Sequence, residues 1–128
     1  MAYNILVVDD SRITRTVIAK ILRLSGVNIG ELYLAENGKE ALDVLDNNWT
    51  DLVLADINMP VMDGIEMVNR MSEDSLLKAV PVVIVSTEGS KTRMEEMQAK
   101  GVRAYIKKPF TPEAIKNIIL DILEDQDE

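Results

Sequence analysis

The chain has 128 residues, enough for one domain with a hydrophobic core. It shows neither an apolar run of about 20 residues that would cross a bilayer nor a signal peptide, so we expect a cytoplasmic protein. With no Cys and no His, disulfides, thiolate nucleophiles, His general bases and Cys- or His-bound metals are excluded. The net charge is −8, from 22 acidic and 14 basic residues. The sequence shows no basic face or tail of the kind typical of a nucleic-acid binder.

The first predicted strand, residues 4–8, is an apolar run that ends at Asp9 and Asp10. Ser11 can cap a helix after it, and Gly26 can end that helix. The helix carries an apolar stripe at helical spacing, typical of a buried helix face: Ile13, Val17, Ile21 and Leu24, widened by Ile18 and Leu22.

A second strand is predicted over residues 31–35, and Asn37 with Glu40 forms a capping box for the helix that follows it. The third strand, residues 52–55, is a short apolar run typical of a strand buried on both faces, and it ends at Asp56. A third helix is predicted from about residue 65 to 71.

The β-branched run at residues 82–85 predicts the fourth strand, and a weakly patterned helix follows at about 90–100. The fifth strand is predicted at residues 104–107, and Thr111–Pro112 is a typical start for the last helix. From about residue 124 we expect an acidic tail, to which no function is assigned.

Strands and helices thus alternate five times, without a linker or repeat. This alternation predicts an α/β fold, in which right-handed crossovers join five parallel strands and helices cover both faces of the sheet. We expect residues 1–128 to form a single domain.

Polar side chains follow four of the five predicted strands, at the carboxyl ends that meet at one edge of a parallel sheet. They are Asp9, Asp10, Asp56, Ser86, Thr87 and Lys108. Each one alone is as easily a turn or surface residue, and only their joint placement favours a site. Two carboxylates about 4 Å apart repel by roughly 4 kcal/mol at an effective dielectric constant of about 20, and a divalent ion would offset that repulsion.

Magnesium suits this edge because it takes few protein carboxylates and keeps ligand positions for water and phosphoryl oxygens. Lys108 adds a positive charge for a phosphoryl group, and Ser86 adds a hydroxyl. A carboxylate nucleophile, a metal, a lysine and a hydroxyl together indicate phosphoryl transfer onto an aspartate.

Four segments carry a resemblance to a known family. They are VVDDS at 7–11, DINMPVMDG at 56–64, Ser86 after VPVVIV, and YIKKPF at 105–110. Over about residues 4–123, the chain resembles the response-regulator receiver domains of two-component signalling, of the stand-alone, CheY-like kind. The resemblance implies a flavodoxin-like (βα)5 fold with strand order 2-1-3-4-5.

The resemblance also implies a metal site. Asp10 and Asp56 would bind Mg²⁺ directly, Asp9 through water, and Asn58 through its backbone carbonyl. Asp56 would accept the phosphoryl group.

The family's remaining site residues correspond to Lys108, Ser86 and Tyr105. Lys108, followed by a cis bond to Pro109, would pair with the phosphoryl oxygens. Ser86 would hydrogen-bond the phosphoryl group and Tyr105 would rotate inward behind it, although Thr87 is an alternative for the hydroxyl.

Three further expectations concern residues around the site. Asn58 and Glu88 occupy positions that tune the lifetime of the phosphorylated state in the family. Trp49 is the one tryptophan and precedes the third strand, so its fluorescence is not expected to report phosphorylation. For Met94 and Met97 in the fourth helix, burial is expected over contact with a partner.

A receiver with no His needs a phosphohistidine donor, which would be a sensor histidine kinase or a His phosphotransfer domain. With no effector domain after the last helix, the output would be binding of a monomer to another protein, such as the flagellar motor switch in chemotaxis. A phosphorelay shuttle is the alternative within this class.

Two other functional classes are weaker. A Mg²⁺-dependent phosphatase would need a second Asp as general acid, and Asp56–Ile57–Asn58 lacks it, so we do not expect a turnover enzyme. A flavin or nucleotide carrier would need a Gly-rich phosphate loop, and none follows a predicted strand.

Overall fold

The computed structural model describes residues 1–127, and side chains through residue 124. It contains all five predicted strands, namely β1 (Tyr3–Val8), β2 (Ile29–Ala35), β3 (Leu52–Ala55), β4 (Val82–Ser86) and β5 (Val102–Lys107). The five helices are α1 (Arg12–Leu24), α2 (Gly38–Asn47), α3 (Gly64–Glu73), α4 (Lys91–Ala99) and α5 (Pro112–Asp127). A short 3-10 helix at Leu77–Ala79, which the sequence analysis did not predict, precedes β4.

The strands form one parallel sheet in the order β2-β1-β3-β4-β5, which confirms the α/β fold and the order that the resemblance implied. The acidic tail was expected from about residue 124, whereas α5 extends to Asp127. The side chains of residues 125–128 lie outside the described part of the chain. Within residues 1–127, no helix has the length and apolar character needed to span a membrane.

Side-chain caps begin the helices where the sequence predicts them. Ser11 Oγ accepts a hydrogen bond from the backbone N–H of Thr14 at 3.2 Å, and Asn37 Oδ1 accepts one from Glu40 at 2.9 Å. Each cap satisfies a backbone donor that has no partner in the first turn of a helix. These caps fix where α1 and α2 leave the edge of the sheet.

The core has two layers, one on each face of the sheet. Alternate residues of β1 point to opposite faces, so Leu6 and Val8 pack with α2, α3 and α4, while Ile5 and Val7 pack with α1 and α5. Met97 is buried in the first layer, as expected, whereas Met94 is only half-buried. Both faces of the central strands are covered, which is why their sequences are apolar throughout.

The prediction of which apolar residues of α1 are buried is partly wrong. Ile13 and Leu24 are 79% and 74% exposed, and Val17 is also exposed, whereas Ile18 and Leu22 are buried. The apolar stripe is wider than the contact area, and packing against the sheet and α5 selects only the side that contains Ile18 and Leu22. An apolar strip of α1 therefore faces solvent.

The register of neighbouring strands aligns the residues that follow them. Val8 of β1 pairs with Ala55 of β3, and the N–H of Asp56 donates to the carbonyl of Val8 at 3.0 Å. At the other side of the sheet, the N–H of Lys108 donates to the carbonyl of Ser86 at 2.9 Å. The side chains after β1, β3 and β5 are thereby brought to one edge.

Gly64, the first residue of α3, packs directly against the backbone of Asp56 and Ile57. A Cβ at this position would overlap the carbonyl oxygen of Asp56 and lie 3.0 Å from the Cα of Ile57. We expect Gly64→Ala to lower the free energy of unfolding by about 1–3 kcal/mol, measured by urea denaturation, because backbone cannot move aside as a flexible side chain can.

Gly89→Ala is the matched control, because its Cβ would lie 3.9 Å from the nearest heavy atom, the Cδ of Lys107. Equal stability changes in the two variants would contradict the close approach at Gly64.

Candidate functional site

Three carboxylates meet at the carboxyl-terminal edge of the sheet. Asp9 and Asp10 follow β1, Asp56 follows β3, and one oxygen of each lies within 4.8 Å of the others. Asp9 and Asp56 are buried, while Asp10 is exposed. Since like charges this close repel, the arrangement requires nearby positive charge.

Lys108 supplies part of that charge. Its Nζ donates to Oδ2 of Asp9 at 2.9 Å and to Oδ2 of Asp56 at 3.0 Å. Burial lowers the pKa of Lys108, but the hydrogen bonds and charges of the two carboxylates outweigh burial and raise the pKa above its ordinary value. The side chain is therefore an ammonium ion at neutral pH, held between two strands.

Backbone N–H groups hold the other oxygen of both buried carboxylates. Ser11 donates to Oδ1 of Asp9 at 2.8 Å, and Ile57 donates to Oδ1 of Asp56 at 2.7 Å. In each carboxylate, Oδ1 thus faces the backbone and Oδ2 faces Lys108. The orientation of these side chains is fixed by local hydrogen bonds.

Arg15 of α1 also supports the site, and the sequence analysis missed it. The side chain is buried, and its Nη1 donates to the backbone carbonyl of Asp9 at 2.6 Å, while Nη2 lies 3.7 Å from Glu36. The available signal was its spacing, because Arg15 lies three and seven residues before Ile18 and Leu22, the other buried positions of α1.

The segment between β3 and α3 forms a tight turn beside Asp56. Val61 has a φ of 67°, and the N–H of Met62 donates to the carbonyl of Pro60 at 2.7 Å, so these residues form a three-residue γ-turn. The turn is anchored to α2, because the N–H of Gly38 donates to Met62 at 2.8 Å. Asn58 lies in this segment and is exposed.

Ser86 and Tyr105 meet at the loop between β4 and α4. Ser86 is fully buried, and its Oγ accepts from the N–H of Glu88 at 3.2 Å, while the hydroxyl of Tyr105 donates to the carbonyl of Glu88. Burial, and then the charge of Glu88, raises the pKa of Tyr105. Thr87 is exposed, whereas Ser86 is buried at the end of β4.

Apart from Asn58, which is exposed in the segment after β3, the predicted site residues fall into two groups. Asp9, Asp10, Asp56 and Lys108 form one cluster, and Ser86 and Tyr105 are joined through the loop at Glu88. The peptide bond between Lys108 and Pro109 is cis, as the resemblance implied. Glu88 also lies 3.2 Å from Arg93 of α4, a contact that the sequence analysis did not predict.

A known protein family matches most of the chain. The family model described as "Response regulator receiver domain" matches residues 5–120. The chain belongs to the response regulator receiver domain family. Its cluster of three carboxylates and Lys108 lies at the carboxyl-terminal edge of the sheet within the matched region.

Relatives of this receiver domain include CheY proteins of chemotaxis. It is 37% identical over 125 residues to chemotaxis protein CheY1 of Helicobacter pylori, covering 97% of this chain and 99% of the relative. A CheY-like receiver domain structure from Methanospirillum hungatei has a TM-score of 0.88 at 27% identity and covers 99% and 98% of the two chains. The chain is a CheY-like receiver domain.

Another similar structure is a CheX–CheY–BeF3–Mg²⁺ complex from Borrelia burgdorferi. It has a TM-score of 0.86 at 29% identity, with 94% of this chain and 89% of the other covered.

The bridge made by Lys108 predicts a loss of stability in Lys108→Ala. The side chains of Lys108 and Asp9 are only 18% and 2% exposed, so the variant leaves buried carboxylates without their cation. We expect the free energy of unfolding to fall by about 2–4 kcal/mol in urea denaturation at neutral pH. Lys107→Ala, at an exposed neighbouring lysine, is the control and is expected to change it by less than about 0.5 kcal/mol.

The pH dependence of this difference follows from the raised pKa of Lys108, since the two carboxylates outweigh burial. A raised folded-state pKa gives stability that is fully present below the ordinary lysine value and lost as the pH rises through the folded-state value. The stability gap between wild type and Lys108→Ala should stay constant from about pH 7 to pH 9 and close above about pH 10.5. A gap that closes below pH 9 would contradict the bridge.

Proposed function

We propose that residues 1–128 act as one cytoplasmic receiver domain in which Asp56 accepts a phosphoryl group from a partner's phosphohistidine, with Mg²⁺ as cofactor. The change in charge would then alter affinity for a downstream protein. The observation that carries this proposal is the meeting of three carboxylates with the ammonium of Lys108 at one edge of the sheet.

The donor set supports magnesium. Three carboxylate oxygens within 4.8 Å of one another suit a hard cation that takes oxygen ligands, and the similar Borrelia structure is a complex that contains Mg²⁺. Asp10 and Asp56 would be direct ligands, Asn58 would contribute its backbone carbonyl, and Asp9 would act through water. When bound, the ion neutralises charge on the phosphoryl oxygens.

The chain's own residues account for the transfer step. Oδ1 of Asp56 is held by the N–H of Ile57, which leaves Oδ2 to attack phosphorus. An O–P bond forms as the N–P bond of the phosphohistidine breaks, and the electron pair of that bond goes to the donor's imidazole. Lys108, already 3.0 Å from Oδ2 of Asp56, would move its hydrogen bonds to the incoming phosphoryl oxygens.

The loop that contains Glu88 would transmit the change. Phosphorylation adds about −1.5 to −2 charges, and Ser86 would turn its hydroxyl toward the new oxygens. That movement breaks the hydrogen bond from the N–H of Glu88 to Ser86, and the same residue accepts from Tyr105. Tyr105 would then rotate inward, and α4, which begins after this loop, would shift.

The donor would be a sensor histidine kinase or a His phosphotransfer domain, since this chain has no His. The similarity to CheY1 favours a chemotaxis role with a target such as the flagellar motor switch. A phosphorelay shuttle is the alternative. We do not propose a turnover phosphatase, because Asn58 stands where a second Asp would act as general acid.

The phosphoacceptor is tested by intact mass after incubation with acetyl phosphate and Mg²⁺. We expect the wild type to gain the mass of one phosphoryl group and Asp56→Asn to gain none, because an amide is not a nucleophile of this kind. Omission of Mg²⁺ should abolish the adduct.

Asp63→Asn is the matched control, since Asp63 is an exposed acid of the same segment and Asn preserves its cap on α3. The proposal is wrong if the wild type gains no mass and is not trapped by beryllofluoride with Mg²⁺.

The two adjacent hydroxyls give a sharp test of the coupling. We expect Ser86→Ala to abolish the movement of Tyr105 on beryllofluoride binding, followed by NMR chemical shifts of the Tyr105 ring and of the loop at Glu88. Thr87→Ala should leave that response intact, because Thr87 is exposed whereas Ser86 is buried at the end of β4.

If Thr87→Ala abolished the response and Ser86→Ala did not, the assignment of the switch hydroxyl to Ser86 would be reversed. If both variants showed the same movement of Tyr105 as the wild type, coupling through either hydroxyl would be ruled out.

A further inference from the structure

A groove of about 640 Å³ opens at the amino-terminal edge of the sheet, where β3 and β4 begin, opposite the phosphoacceptor edge. It lies between the end of α2 with the segment before β3 and the segment that leads from α3 to β4. We call it the amino-edge groove. Its apolar lining residues are Leu45, Trp49, Leu76, Leu77, Ala79, Val80 and Pro81.

Two large apolar side chains stand exposed in this groove, Trp49 at 77% and Leu76 at 82%. Exposed apolar side chains that share one concave surface can mark an interaction site. Tryptophan is among the residues that most often dominate binding free energies in protein interfaces, and neighbouring apolar contacts exclude water around it. These two residues are therefore the natural anchors for a partner.

The indole of Trp49 is held in place before any partner binds, and a hydrogen bond orders the backbone of Leu76. The indole Nε1 of Trp49 donates to Oδ1 of Asp51 at 3.0 Å, and Oδ2 of Asp51 accepts from the N–H of Asn4 at 2.8 Å, which ties the indole to β1. The N–H of Leu76 donates to Oδ1 of Asp74 at 2.8 Å. Fixed anchors lose less conformational entropy on binding than mobile ones do.

The charged groups of the groove have one sign. The described lining residues include Asp46, Asp51 and Asp74, and no Lys or Arg. Arg70 lies in the adjoining surface with Glu73, but its guanidinium is 3.0 Å from Glu66 on the same helix. An acidic border around an apolar floor is complementary to a partner that combines apolar and basic residues.

We propose that the amino-edge groove binds a basic amphipathic helix of another protein, with its apolar face on Trp49 and Leu76 and its Lys or Arg residues facing Asp46 and Asp74. This is the helix-in-groove mode of recognition. Because the groove lies at the opposite edge of the sheet from Asp56, the interaction is constitutive and does not depend on phosphorylation.

Other occupants fit less well. Anionic membrane surfaces and nucleic acids are repelled by the acidic border. A second copy could offer α1, which has no acidic residue and exposes Ile13 and Val17. Such a contact would join two different surfaces and build rings or open chains rather than a two-fold dimer.

Trp49 makes the test direct, since it is the one tryptophan of the chain. The probe is a synthetic amphipathic helix of Leu and Lys, compared with the same design in Leu and Glu. We expect the Leu–Lys peptide to shift the emission of Trp49 to shorter wavelength in a saturable way, and the Leu–Glu peptide to have no effect. The dissociation constant should be the same in wild type, in Asp56→Asn and with beryllofluoride and Mg²⁺.

Matched variants separate the groove from general attraction to an acidic protein. Leu76→Ser and Asp46→Lys should each weaken the Leu–Lys peptide by about tenfold, because each removes an anchor or reverses a border charge. Leu24→Ser removes a similarly exposed leucine on α1, and Asp43→Lys reverses an exposed charge on α2 outside the groove. Both controls should bind the peptide as the wild type does.

Three outcomes would overturn the proposal. One is an unchanged Trp49 emission at every peptide concentration, and another is equal weakening by the groove variants and their controls. The third is an emission shift that depends on protein concentration without peptide and is lost in Leu24→Ser, which would make a second copy the occupant. Peptide binding can be measured whether or not Asp56 is phosphorylated. The result of this test is therefore independent of the proposed phosphotransfer.

Discussion

The ammonium group of Lys108, which lies between the carboxylates of Asp9 and Asp56, stabilises the acidic edge of the sheet. Asp9 and Asp56 are buried within 4.8 Å of each other and of Asp10, an arrangement that would be repulsive without Lys108. A single positive charge does not balance three negative ones, so the edge keeps a net attraction for further cations. In the proposed phosphotransfer, the same lysine would exchange its carboxylate partners for oxygens of the incoming phosphoryl group.

Local chemistry explains why much of the structure was predictable. Helix starts at Ser11 and Asn37 depend on hydrogen bonds to donors three residues later, which the sequence shows directly. Alternation of strands and helices gives the parallel sheet, and the ends of parallel strands share an edge, so the meeting of Asp9, Asp56 and Lys108 followed. The order of the strands came from the family resemblance, because spacing alone does not decide which strands are neighbours.

What the sequence did not predict depends on contacts between different elements of the fold. The apolar stripe of α1 is broad, and only packing with the sheet and α5 decides that Ile18 is buried while Ile13 is exposed. Arg15 was not singled out from the sequence, because its acceptor, the carbonyl of Asp9, lies outside α1. The amino-edge groove likewise needs the fold, since Trp49 and Leu76 lie in separate loops.

The γ-turn after Asp56 limits which residues can stand at position 61 and at position 38. Val61 is exposed, yet its backbone lies in the left-handed region, where a β-branched residue costs on the order of 1–3 kcal/mol. Its anchor Gly38 has no room for a side chain, because a Cβ there would lie 2.9 Å from the carbonyl oxygen of Met62. The turn therefore tolerates Gly or Asn in place of Val61. It does not tolerate a residue with a side chain in place of Gly38. Among related sequences, we therefore expect position 61 to vary and position 38 to remain Gly.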